Sequence, residues 1–354
     1  MLFGYPTAAT QDNWFHDCLC EILQTIHTSK QRGQSPPTWP TIIPETHRTI
    51  LRSRHGLRDR LNKYQAVIDK LNESELNQVI NAVKQQNEIA SLLAGNCDCE
   101  TVDDLPQPIR HPVADLFAFA FKLLTDLGIR DRQYKVIYNM IPGQVCPFCG
   151  CEYFDAPGAP REALDHYLVE KDYPFAAANL HNLVPMGNKC NSRYKYTQNI
   201  LYSDDGTRRR SYYPYNEHHK IQISLENSQP FGGSYKFFPV PLWQIDFQPN
   251  SEETATWDTV FHIRTRYIRD ILNPEFKSWL REFRAWCLRN PISLTSNSKF
   301  LHEIERFSDF WATAEMGDRA FLKASVFRML HQHCQQGNQR LLAFVKRVVD
   351  ENVV

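Results

Sequence analysis

No apolar run in the 354-residue chain approaches the roughly 20 residues needed to cross a bilayer. Charge of one sign is equally scarce. Forty basic residues face forty acidic ones, so net charge points neither to a nucleic-acid coat nor to an acidic binder. Ten cysteines are too dilute for a disulfide scaffold. The opening segment, MLFGYPTAATQDNWFHD, lacks the basic start and apolar centre of a secretory signal. These absences predict a soluble, cytoplasmic protein with reduced thiols and no membrane partner. There is no phosphate-cradling glycine loop, so energy from ATP would have to come from a partner. No repeat period and no low-complexity tract interrupts the chain. What is present, 23% charged and 12% aromatic residues, suits a folded protein of two or three domains with their own cores.

Periodicity predicts an α+β chain, mostly α. Trp14 to Ile26 carries apolar residues at helical spacing, and the four prolines of QRGQSPPTWPTIIPE (31–45) then break the pattern. A charged helix is expected around Arg48 to Leu71. Another, capped by Ser74, has Leu76, Val79, Ile80 and Val83 on one face and ends near Gly95-Asn96. Val113 to Leu127 reads as a buried helix, and a short one runs from Arg132 to Met140. Residues 234–247 suggest strands interrupted by prolines, and the helical pattern resumes from Thr256, with a favourable proline opening PEFKSWLREFRAWCL. The expected organisation is a helical N-terminal region (1–140), a small central module (141–215) and a mainly helical C-terminal region with a short strand segment (216–354).

Chemistry concentrates in the centre. CPFC gives Cys146 and Cys149 the knuckle spacing that holds one edge of a tetrahedral zinc. Cys190 is a third candidate, at the opening of the helix suggested by NKCNSRYKYTQN. The position three before it is Gly187, so the fourth ligand stays open, with Cys151 and His181 the nearest substitutes. Buried, metal-free thiols are the bland alternative. Asp165 and His166 are adjacent in LDHYLVEKDYPF, and strand alternation lets both serve one site only at a strand end or bend. Asn182 opens a second apolar strand, and Asn191 begins a helix beside Cys190.

The set CPFC…LDH…NL-VP…CN, followed by basic residues, resembles the HNH nucleases of the ββα-metal class, over Cys146 to Gln198. The resemblance implies that His166 is the general base, that Asn182 fixes the histidine through its backbone, and that Asp165 and Asn191 hold a catalytic Mg²⁺ or Mn²⁺. Asparagine at 191 makes this an H-N-N form, similar to the HNH domain of RNA-guided CRISPR nucleases. Cys146, Cys149 and Cys190 would hold a structural Zn²⁺. The family's lysine position is Tyr194 here, which leaves Arg193 or Lys195 as the phosphate contact. After the stretch that carries the resemblance, Arg208, Arg209 and Arg210 in TRRRS could grip a phosphate backbone, although such runs are commonly just solvated loops.

The expected activity is divalent-metal-dependent phosphodiester hydrolysis in DNA. The large helical arms resemble HNH effectors of bacterial anti-phage defence, which work beside an ATPase partner. A single such site nicks one strand, so double-strand breaks would need a homodimer or two successive cuts. Two other readings carry different expectations: a non-catalytic zinc-stabilised module that binds nucleic acid or protein, and an RNA-cleaving, toxin-like nuclease.

Overall fold

A computed structural model of the chain describes residues 1–159, 164–290, 296–314 and 316–351. The architecture is α+β and mostly helical, and no described helix is long and apolar enough to cross a membrane. Two compact units divide the chain. A helical unit comprises Gly4–Ile141 and Phe154–His219, and a mixed unit comprises Met1–Phe3, Pro142–Tyr153 and the chain from Lys220 onward. Residues 141–215 are therefore shared: the CPFC knuckle belongs to the mixed unit and the rest to the helical one. Residues 160–163 of that span lie outside the described residues.

The core of the helical unit follows from apolar stripes three and four residues apart. Trp14–Gln31 buries Phe15, Leu19, Ile22 and Ile26, and packs against His55–Ile68 and Glu73–Gln86. His55–Ile68 brings Leu57, Leu61 and Tyr64 onto Gln107–Asp126, which offers Val113, Leu116, Phe117 and Ala120. Each fully buried side chain of this kind contributes about 1.5–3 kcal/mol. The same core takes in Phe175, Ala177, Ala178, Leu180 and Leu183, so the central loop is anchored by the helices.

The sequence expectations need adjustment at three helix ends. The Arg48–Leu71 helix is two, Glu45–Leu51 and His55–Ile68, and Trp39 Nε1 donates to the Arg52 carbonyl at the break. The cap of Glu73–Gln86 is Asn72 rather than Ser74: Asn72 Oδ1 accepts from Glu75 N at 3.0 Å while Glu75 Oε2 accepts from Asn72 N at 2.9 Å. In the C-terminal region the helix Glu252–Phe261 stops at His262, whose φ is 51°, and Asp258 Oδ1 accepts from Arg264 N to open the next turn.

Two buried histidines give the helical unit a pH dependence. His27 Nε2 lies 2.7 Å from Tyr64 Oη, and burial lowers both His16 and His27 to a pKa of about 4. The unfolded chain takes up these protons near pH 6.5, whereas the folded chain does not until about pH 4. Their stabilisation is therefore complete above pH 6.5 and is lost as pH falls through that window, up to about 3 kcal/mol each. Thermal unfolding followed at pH 7 and pH 4.5 should show a falling midpoint. His27→Gln, which keeps a partner for Tyr64, should flatten the slope; an unchanged slope would remove His27 from the account.

Within the helical unit, β1 (Leu164–His166) pairs antiparallel with β2 (Leu183–Pro185), and the helix Lys189–Lys195, wider than an α-helix, follows. The mixed unit contains β3 (Gln222–Ser224), the hairpin of β4 (Gln229–Tyr235) and β5 (Phe238–Leu242), and β6 (Asp246–Gln248), which pairs with β3. Strands therefore begin before residue 234, and Pro239 and Pro241 are tolerated because, among the described residues, β5 pairs on one side only. Its core is aromatic: Phe283 contacts Phe300, Phe307 and Phe327 from the helix Asn273–Arg289.

Candidate active site

β1 is three residues long, with Asp165 opposite Val184 and His166 opposite Leu183, and the chain turns away after His166. That strand end is the position where neighbouring side chains can share one site. The loop that leaves it is closed by Asn182, which is fully buried. Asn182 Oδ1 accepts from Leu168 N at 2.6 Å, and its Nδ2 donates to the carbonyls of Leu168 at 3.0 Å and Ala176 at 3.3 Å. Its own carbonyl accepts from Tyr167 N at 2.9 Å. Asn182 thus fixes the backbone on the C-terminal side of His166. Gln133 supports β2 from below, donating to the carbonyls of Leu180 and Leu183.

His166 Nε2 lies 3.0 Å from the Ala177 carbonyl. A carbonyl only accepts, so Nε2 carries the hydrogen and the lone pair sits on Nδ1. The ring packs 4.3 Å from the Phe121 ring, and Phe117, one turn earlier on the same helix, meets Phe175 edge-on. Burial lowers the His166 pKa to about 4, with the Ala177 bond opposing and the charges of Lys195 and Arg130 adding to the shift. The imidazole is therefore neutral at pH 7. Nδ1 faces Glu170 Oε2 at 3.6 Å, a contact that is not an ion pair at neutrality.

Asp165 is the charged member. Its Oδ2 is buried without a hydrogen bond of good geometry, yet Lys195 Nζ stands 2.9 Å away as an ionic partner. The same Nζ donates to the His166 carbonyl at 2.8 Å. Burial raises the Asp165 carboxyl above its ordinary range and Lys195 pulls it back down. Asn191 is half-buried on the Lys189–Lys195 helix, four residues before Lys195. A carboxylate and a carboxamide oxygen are hard donors, and an incompletely satisfied buried carboxylate suits a divalent cation of the Mg²⁺ or Mn²⁺ kind.

Several residues expected to meet phosphate are engaged internally. Lys195 is fully buried between two acceptors, whereas Arg193 is exposed. Arg208 donates to Asp98 and to the carbonyls of Leu92, Cys97 and Leu201, and Arg209 to those of Asn199 and Tyr202. These two guanidinium groups staple the loop that follows the Lys189–Lys195 helix; Arg210 is exposed. His181 Nδ1 is hydrogen-bonded to Tyr213 Oη.

In the mixed unit the knuckle is tight: Cys149 N and Gly150 N both donate to the Cys146 carbonyl, at 3.2 and 2.7 Å. Gly150 has φ 63°, and a Cβ there would lie 2.6 Å from Leu2 Cδ2 and 2.9 Å from Phe321, so glycine is required. Trp257 Nε1 donates to the Phe148 carbonyl and Tyr267 Oη to that of Cys149, both at 2.8 Å. Both thiols are buried, as is Cys190 in the helical unit. Cys151 Sγ donates to the Cys149 carbonyl at 3.0 Å, and a hydrogen bond with the Cys149 side chain together with burial raises the Cys151 pKa well above the ordinary thiol value.

Sequence reasoning missed Glu170, Phe121 and Gln133, and gave Lys195 a different task. Only Glu170 left a signal, its i,i+4 spacing from His166. Comparison with family models, with curated proteins and with solved structures finds no match to the chain.

Proposed function

We propose that the chain is a divalent-metal-dependent endonuclease of the HNH type that hydrolyses phosphodiester bonds in DNA. One observation carries the proposal: a neutral histidine at a strand end, its Nε2 tied to a carbonyl and its Nδ1 lone pair available, beside a buried aspartate. Asp165 and Asn191 would hold Mg²⁺ or Mn²⁺, which supplies compensation for charge building on the phosphate. His166 Nδ1 takes the proton from the attacking water, and the Nε2–Ala177 bond keeps the ring in the tautomer that allows it. Asn182 positions His166 and touches no reacting atom.

The test is nicking of supercoiled plasmid by the purified chain in Mg²⁺ or Mn²⁺, with EDTA as control and single-stranded RNA assayed in parallel. Metal-dependent conversion to open circles is expected; preferential RNA cleavage would move the substrate class. Failure of the chain to cut either nucleic acid, alone and with co-purified proteins, would reject the enzyme. The Lys195–Asp165 pair favours a second reading, a non-catalytic nucleic-acid- or protein-binding module, because the carboxylate already has a cationic partner.

From the resemblance we propose a structural Zn²⁺ on the knuckle thiols Cys146 and Cys149, which are buried and of the soft type that zinc selects, with Cys190 the third ligand that the resemblance implies. Elemental analysis should find about one zinc per chain, reduced in Cys146→Ser and in Cys190→Ser. Zinc-free, fully folded protein would exclude it. The wider role proposed is a cytoplasmic effector of anti-phage defence, restrained by a signal or an ATPase partner, on analogy of architecture.

A further inference from the structure

β4 and β5 are joined by two residues, Lys236 and Phe237, since Tyr235 pairs directly with Phe238. Both linking residues are left-handed, with φ 48° and 61°. A two-residue turn of this kind favours Asn-Gly, because a side chain at either position crowds the backbone. Phe237 carries that strain as a fully exposed residue, 103% of the reference area, so packing within the unit does not offset it. A third left-handed residue, Phe231, lies in the irregular part of β4.

The base of the hairpin is firmly seated. Phe231 and Phe238 both meet Phe344, and Phe238 also meets Phe276. Cations surround these rings: Lys236 Nζ is 5.4 Å from the Tyr235 ring, Lys277 Nζ 5.3 Å from Phe238, and the Arg340 guanidinium 4.6 Å from Phe231. Among the described residues none of these three cations has a carboxylate partner. The hairpin therefore carries one bare aromatic ring at its turn and three cations without a carboxylate partner along its other rings.

We infer that the β4–β5 hairpin is a binding element for a single-stranded stretch of nucleic acid, with Phe237 stacking on a base and Lys236, Lys277 and Arg340 meeting the phosphates. Every base has a π-face, so stacking on a ring tolerates any sequence, and the cations supply a salt-sensitive grip on the backbone. A buried protein–protein contact would favour the ring without needing three uncompensated cations beside it. The hairpin lies wholly in the mixed unit and its binding involves no cleavage, so it stands independently of the nuclease proposal.

The test uses the full chain without added Mg²⁺ or Mn²⁺, which withholds metal-dependent cutting and leaves any structural zinc in place, and reads fluorescence anisotropy of a labelled single-stranded oligonucleotide across a salt series. Phe237→Gly relieves the left-handed strain, so its thermal midpoint should rise or hold while affinity falls about tenfold or more. Phe237→Trp should bind as tightly as the parent. Lys277→Ala/Arg340→Ala should weaken binding and lower the slope of log affinity against log salt. Undiminished affinity in Phe237→Gly overturns the inference, as does absence of oligonucleotide binding by the parent chain.

Discussion

His166→Ala is expected to nick supercoiled DNA about 10²–10⁴-fold more slowly than the parent chain while still binding divalent metal. The range is that of a general base removed from a site that keeps its electrostatic machinery. Only Nδ1 can serve as the base, because Nε2 is committed to the Ala177 carbonyl at 3.0 Å. The substitution also removes a ring packed 4.3 Å from Phe121, so some stability will be lost, and slow cleavage alone would not separate the two effects. Exogenous imidazole separates them. A small base entering the vacated space should restore part of the rate without changing the thermal midpoint. His166→Gln fills more of the space and bonds Ala177 through its amide, but has no basic nitrogen, so it should stay as slow as alanine. Full activity in His166→Gln would show that the ring is architectural and that another group moves the proton.

Much of this site could be read from the chain. Asp165-His166 at a strand end, Asn182 at the mouth of the second strand and Cys190-Asn191 on a helix are matters of local spacing, and local spacing is what a sequence displays. The loop from Tyr167 to Asn182 closes because one buried carboxamide satisfies three backbone groups, and an asparagine before an apolar strand hints at that role. The helix end at His262 and the split after Leu51 left no glycine or proline to mark them; Asp258, within the helix that stops at His262, accepts from Arg264 N beyond that end, and Trp39 bonds the split from outside. Lys195 was legible as a cation near the site, but not as a buried one. Its burial depends on a helix wider than α and on a carboxylate 30 residues upstream, a tertiary pairing that no periodicity encodes. Arg208 likewise sits in an exposed-looking TRRRS run, yet donates to carbonyls at Leu92 and Cys97 that lie over 100 residues away.

Lys195→Met should destabilise the metal-free chain by about 3–5 kcal/mol, the effect of stranding one partner of a buried ion pair. Both groups qualify: the Lys195 side chain is 1% exposed and that of Asp165 15%, with 2.9 Å between Nζ and Oδ2. The variant also loses the bond from Nζ to the His166 carbonyl. Asp165→Asn should be destabilising by a similar mechanism, leaving an ammonium buried with neutral acceptors alone. In the double variant the two losses should not add, because neither charge is left behind, and the shortfall measures the coupling. Divalent metal then distinguishes an architectural pair from a catalytic ligand. If Asp165 is a metal ligand, Mn²⁺ should recover stability in Lys195→Met, by about 2.7 kcal/mol at a hundredfold excess over its dissociation constant. It should do nothing for the double variant, which lacks the carboxylate. Removal of the competing ammonium should also tighten Mn²⁺ binding relative to the parent, read by calorimetry without any cleavage assay. A Lys195→Met protein indifferent to Mn²⁺ would mean that Asp165 serves the fold alone, and the metal-dependent chemistry would lose its principal ligand.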